Sequence, residues 1–119
     1  MDTGTALSPA ADALHQIREA RALMADVASM SRAVGISLEG FLALAALAEV
    51  TPQGMSMTDL AKATGATSPT LTRHIDILAT KSLVYREIDP RDRRSTFIYI
   101  SKLGLARLVA LADALGGVR

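Results

Sequence analysis

The hydrophobic positions of this chain follow helical spacing at first, give way near residue 83 to two short runs rich in Val, Ile, Tyr and Phe, and return to helical spacing near the end. Leu14, Ile17, Met24, Val27 and Met30 form an apolar stripe interrupted by Arg18, Glu19, Arg21 and Asp26, which predicts an amphipathic helix over about 8–33. Ser8 caps it, Pro9 occupies its first turn, and Gly35 ends it. The next segment, LEGFLALAALAEV from Leu38 to Val50, is apolar on nearly every side. Such a helix is buried, and Ser37 is its cap. Thr51-Pro-Gln-Gly54 is a turn. A short helix over Met57–Thr64 follows, with Ser56 as cap, Asp59 three residues on as in a capping box, and Gly65 as its left-handed stop. A second helix runs over Pro69–Lys81, capped by Ser68, with Leu71, Ile75 and Leu78 facing the core. Then Leu83–Ile88 and Ser95–Ile100, rich in Val, Ile, Tyr and Phe, flank the turn sequence DPRDRR and predict a β-hairpin. Leu105, Leu108, Val109, Ala112 and Leu115 mark a final helix from about Gly104 to Gly116-Gly117.

The predicted fold is mainly α with a small β-hairpin. Two short helices followed by a two-stranded ribbon make a winged helix-turn-helix, whose second helix suits the DNA major groove. A terminal helix flanks it on each side, the first of them long. Ser68, Thr70, Arg73 and His74 lie off the buried stripe of that second helix. They are short or basic hydrogen-bonding groups, suited to base edges and phosphates. A solvated polar face is the plain alternative. The hairpin tip carries Arg91, Arg93 and Arg94 beside Asp89 and Asp92. An arginine-rich tip suits a narrow minor groove, where the potential is most negative, and the two aspartates suit ion pairs that shape the wing. A merely soluble loop is the alternative here.

The stretch SPTLTRHIDILATKSLVYREIDPRDRRSTFIYISKLG resembles the core of the MarR (multiple antibiotic resistance) family of regulators. Thr72-Arg73, Arg86 in the first wing strand, Asp92-Arg93-Arg94 at the tip and Ser101-Lys102-Leu103-Gly104 stand at positions matching the family pattern. The likeness covers about 37–107. It departs at Ser82, where the family usually has the glycine ending the recognition helix. The chain also stops near residue 119, where the family's last helix is expected. The resemblance implies a sequence-specific regulator, a repressor that binds double-stranded DNA as a homodimer on a pseudo-palindromic operator. It adds Thr72 and Arg86 to the DNA-binding residues. It assigns about 8–33 and 101–115 to dimerisation and about 37–100 to the DNA-binding lobe of a single domain spanning 1–119. It also implies a small aromatic or phenolic effector, whose binding residues the sequence does not specify. For the first helix, folding back on its own domain is the alternative to pairing with a second chain.

Charge and composition sharpen this picture. The net charge is only +1. Yet residues 1–60 hold three Lys/Arg against seven Asp/Glu, and residues 61–119 hold ten against five, so the halves carry −4 and +5. The basic half contains the wing, an electrostatic footprint for a polyanion. There are no cysteines, which removes disulfides and thiol chemistry. His15 and His74 are too far apart to form a helical metal pair, and His15 is a surface or interface residue. No glycine-rich nucleotide loop, nucleophile elbow or metalloprotease motif occurs, so neither an enzyme nor a cofactor is expected. The N-terminus lacks a signal-peptide pattern, and the longest apolar run, Phe41–Ala48, is too short to span a bilayer. A soluble, cytoplasmic protein is expected, with no membrane partner. The competing function is a winged helix used only for protein contacts, without specific DNA binding.

Overall fold

The computed structural model describes residues 3–118, the side chains of the last two excepted; residues 1, 2 and 119 of the expected domain lie outside it. In chain order the elements are α1 (Thr3–Ala33), α2 (Leu38–Val50), β1 (Met55–Ser56), α3 (Met57–Thr64), α4 (Ser68–Thr80), β2 (Val84–Asp89), β3 (Asp92–Ile100) and α5 (Lys102–Val118). The strands form one antiparallel sheet in the order β1–β3–β2.

The core is built around α2. Ala43, Leu44 and Leu47 are fully buried and join Leu60 of α3, Leu71, Ile75 and Leu78 of α4, Ile98 and Ile100 of β3, and Leu111 of α5. Each fully buried leucine or isoleucine contributes about 1.5–3 kcal/mol relative to exposure. This apolar centre gives the two short helices and the ribbon a common floor. Ser37 Oγ accepts Gly40 N–H at 3.0 Å and starts α2. Ser56 Oγ accepts Asp59 N–H at 3.1 Å and starts α3. Gly65, at φ +76°, closes α3 in the left-handed conformation that glycine tolerates best.

Several expectations change. α1 begins at Thr3, so Ser8 is not its cap and Pro9 lies inside the helix. Proline's fixed φ is itself helical, and the Ser8 hydroxyl turns back to donate to Gly4 O at 3.1 Å. α5 continues through Gly116-Gly117 to Val118, because glycine weakens a helix without necessarily ending it. A third strand, β1, pairs Met55 with Ile98 and Ser56 with Phe97.

α1 is docked only near its C-terminal end, where Val27 and Ser31 are buried. There it meets α2 and α5. Its earlier apolar residues Leu7, Leu14, Ile17 and Met24 are all at least half exposed. Among the described residues, no single helix is long and apolar enough to cross a membrane.

Candidate nucleic-acid interface

α4 starts one residue earlier than expected. Thr67, not Ser68, is the cap residue: its backbone is extended and its carbonyl accepts Leu71 N–H at 2.9 Å. Its hydroxyl does not cap the helix but pairs with Thr70 Oγ1 at 3.0 Å. Ser68 is the first helical residue and its carbonyl accepts the Thr72 hydroxyl at 2.9 Å. With about 3.6 residues per turn, Arg73 falls nearly opposite the buried stripe of Leu71, Ile75 and Leu78, and it is exposed. Ser68 and Thr72 are exposed as well, while Thr70 and His74 are half-buried on the flank. His74 Nδ1 lies 3.1 Å from Ser37 Oγ.

β2 and β3 carry the wing beside α4. Arg86 of β2 donates from Nη2 to Asp76 Oδ1 of α4. Of the two partners, only Arg86 was recognisable from the sequence. Asp76 carried one weak signal, as the only acid on a helix whose other ionisable side chains are Arg73 and His74.

Both aspartates of the tip accept local hydrogen bonds. Asp89 Oδ1 accepts Arg91 N–H at 2.9 Å, and Asp92 Oδ1 accepts Arg94 N–H at 3.0 Å. Each bond spans two residues, the local turn that aspartate side chains favour. Asp92 Oδ1 also accepts Arg94 Nε–H at 3.2 Å, and Ser95 Oγ lies 3.5 Å from Oδ2. The backbone hydrogen bond from Arg94 chiefly, then the one from its side chain, holds the Asp92 carboxyl below its ordinary value of 3.8. Arg94 nonetheless stays 92% exposed. Its guanidinium is restrained at Nε while its outer nitrogens face solvent. Arg91 and Arg93 are exposed beside it.

The described residues of one chain enclose no pocket and bring together no group of three metal-ligating side chains. The described geometry therefore consists of an outward helix face next to a basic ribbon tip.

A MarR family profile matches residues 36–96, more than half of the chain. The chain belongs to the MarR family. Solved structures agree on the architecture. Wild-type MarR from E. coli, in its apo form, superposes with a TM-score of 0.77 at 19% identity, over 89% of this chain and 75% of that one. A MarR-family transcriptional regulator from Silicibacter pomeroyi gives 0.76 at 28% identity, over 84% and 66%. MepR from S. aureus, in complex with DNA, gives 0.68 at 26% identity, over 87% and 82%. No curated protein matches the chain. The winged helix of this MarR-family chain is thus the fold of transcription regulators, one of which has been solved on DNA.

Proposed function

We propose that this chain is a sequence-specific regulator of transcription that binds double-stranded DNA as a homodimer and acts as a repressor on a pseudo-palindromic operator. The observation carrying this reading is the pairing of two features in one lobe. Arg73 projects from α4 opposite its buried face, and Arg94 projects from a wing tip restrained by Asp92. The first suits bidentate reading of a base edge in the major groove. The second suits a narrow minor groove. Ser68, Thr70, Thr72, Arg91 and Arg93 surround them as further contacts to bases and phosphates. That MepR is seen on DNA supports the reading. In this scheme residues 37–100 form the DNA-binding lobe, and residues 8–33 and 101–115 form the dimer. Release by a small aromatic or phenolic effector is part of the same proposal, supported by the family resemblance alone.

The test uses a duplex selected by the protein from a random-sequence pool. Its affinity should fall steeply with salt, as counterions released by phosphate contacts require. Arg73→Ala should cost roughly 1–3 kcal/mol on the selected duplex and less on an unrelated one. A protein that enriches no sequence and binds no duplex would leave only the protein-contact reading.

A further inference from the structure

α4 is restrained on both flanks. Leu71, Ile75 and Leu78 face the core, and Arg73 faces nearly the opposite way. With about 100° per residue, His74 falls on one flank and Asp76 on the other. Each flank makes a polar contact with another element, and the two contacts reach different neighbours. On the first, His74 Nδ1 meets Ser37 Oγ at 3.1 Å. That oxygen is itself fixed as the cap of α2 by accepting Gly40 N–H. On the second, Asp76 accepts from Arg86, which belongs to the first strand of the wing.

The first flank also lies near other elements. A Cβ on Gly40 would lie 2.9 Å from Ile36 Cγ2 and 3.4 Å from Leu78 Cδ2, so the first turn of α2 lies close against α4. Lys81, on the same flank as His74 two turns later, places Nζ 3.2 Å from where a Cβ would stand at Gly35. The corner between α1 and α2 therefore abuts this flank, and the wing abuts the other.

We propose that His74 and Arg86 are positioning residues, which act through Ser37 and Asp76 to fix the roll of α4 about its axis. Base reading is left to the outward face around Arg73. The inference rests on the DNA-binding function proposed above. A single apolar stripe lets a helix rock about its seam, and contacts on opposite flanks resist rotation in both senses. Base recognition needs its side chains held within about 10–20° of the productive geometry. Exposed contacts of this kind add little to global stability, so their value lies in where they act. The chemistry of the Arg86 pair also argues against its direct contact with DNA. Arg86 and Asp76 together are neutral, and a neutral pair releases no counterion from DNA.

The experiment measures the affinity ratio between a duplex selected by the parent protein and an unrelated duplex of equal length, together with the salt slope on each. Arg86→Ala and His74→Gln should lower the ratio roughly threefold to tenfold, the range of an exposed ion pair or a single hydrogen bond, and leave the slope unchanged. The exchanged pair, Asp76→Arg with Arg86→Asp, should recover the ratio. Should the exchanged protein not fold, Arg86→Lys keeps the ion pair and should retain the ratio. His74→Asn, whose amide stands near the place of Nδ1, should keep the Ser37 contact and the ratio. The proposal is overturned if Arg86→Ala weakens both duplexes alike and flattens the slope by about one phosphate per half-site. It is equally overturned if His74→Gln keeps the ratio while His74→Asn loses it, which would mean reading through Nε2, or if no variant changes the ratio. A parent protein that binds no duplex at all would instead remove the DNA-binding reading itself.

Discussion

Two residues hold conformations whose consequences can be measured. Ser82 has φ +62°. It sits just past the end of α4, where Ser82 N–H bonds Ala79 O at 3.0 Å and Leu83 N–H bonds Leu78 O at 2.9 Å. That pair of bonds is the Schellman ending, and it demands a left-handed residue. A side chain there costs about 1–2 kcal/mol, partly offset by the extra freedom glycine has in the unfolded chain. Ser82→Gly should therefore stabilise the protein by about 0.5–1 kcal/mol. Urea unfolding should show a higher midpoint at unchanged slope. The Ser101 hydroxyl, which donates to Ser82 O at 2.6 Å, bonds to backbone and survives the change. Asp92 gives a test of opposite character. Its carboxyl is held below its ordinary value by Arg94. A depressed carboxylate adds stability that is complete above the unfolded value, about 3.9, and is lost as pH falls through the folded one. Asp92→Asn should be less stable than the parent near neutral pH, and the gap should close as pH falls below about 4. Urea midpoints across that range would reveal it. A gap that persisted below the folded value would assign the loss to packing and not to charge.

At the scale of elements, the informative position is Gly104 in the first turn of α5. A Cβ there would stand 2.2 Å from Leu83 O and 2.8 Å from Ile100 Cγ1. Replacing glycine by alanine inside a helix normally gains about 1 kcal/mol. Here the helix would have to lift off the ribbon, so Gly104→Ala should destabilise, by about 1–3 kcal/mol as for other overpacked sites. A thermal scan showing a raised Tm would contradict the close approach. The same contrast between local signal and tertiary demand explains what the sequence made legible. α2 and α3 could be bounded from sequence because Ser37, Ser56 and Gly65 are committed to caps by their own chemistry. The core stripe of α4 was legible for the same reason, since Leu71, Ile75 and Leu78 recur at one period. β1 was not, because Met55-Ser56 is too short to show a period and exists only through its pairing with β3. The start of α1 was misplaced because Ser8-Pro9 carries the same start signal as Ser68-Pro69, yet lies within a helix that begins at Thr3. In the candidate interface the residue types were legible and their partners were not. Asp76 with Arg86, and Ser37 with His74, are separated in sequence by 10 and 37 positions. Only the packed fold brings them together.

At the scale of the whole molecule, one chain is unusually extended. Its radius of gyration is 17.7 Å, where a compact domain of this length should have about 13–14 Å. The cause is α1, 31 residues long and so about 46 Å from end to end, with only its last third docked. Leu7, Leu14, Ile17 and Met24 fall on one side of this helix and are 58%, 50%, 51% and 51% exposed. Scattered apolar residues on a surface need no explanation, but four on one side of a single undocked helix segment do. A second copy of the chain is the proposed cover, since α5 contacts α1 near the same end and adds the exposed Leu103 and Val109. Such a dimer would set two basic lobes on one assembly, with recognition helices about one DNA turn apart, near 34–36 Å. The acidic half of the chain, at −4, includes α1, and the basic half, at +5, includes α4 and the wing. Charge repulsion between the two lobes would then be confined to the side that meets DNA, where phosphates neutralise it. Sedimentation should accordingly give twice the 12.5 kDa chain mass. The double variant Ile17→Asp, Met24→Asp places four carboxylates in the proposed contact and should sediment as the single chain, with the far-UV spectrum of a folded protein. Its affinity for a palindromic duplex should fall far more than its affinity for an isolated half-site, because only the former depends on linking two lobes. Equal losses on both duplexes would mean that the substitutions damage the lobe itself. An undisturbed dimer would mean that α1 covers its apolar row in another way.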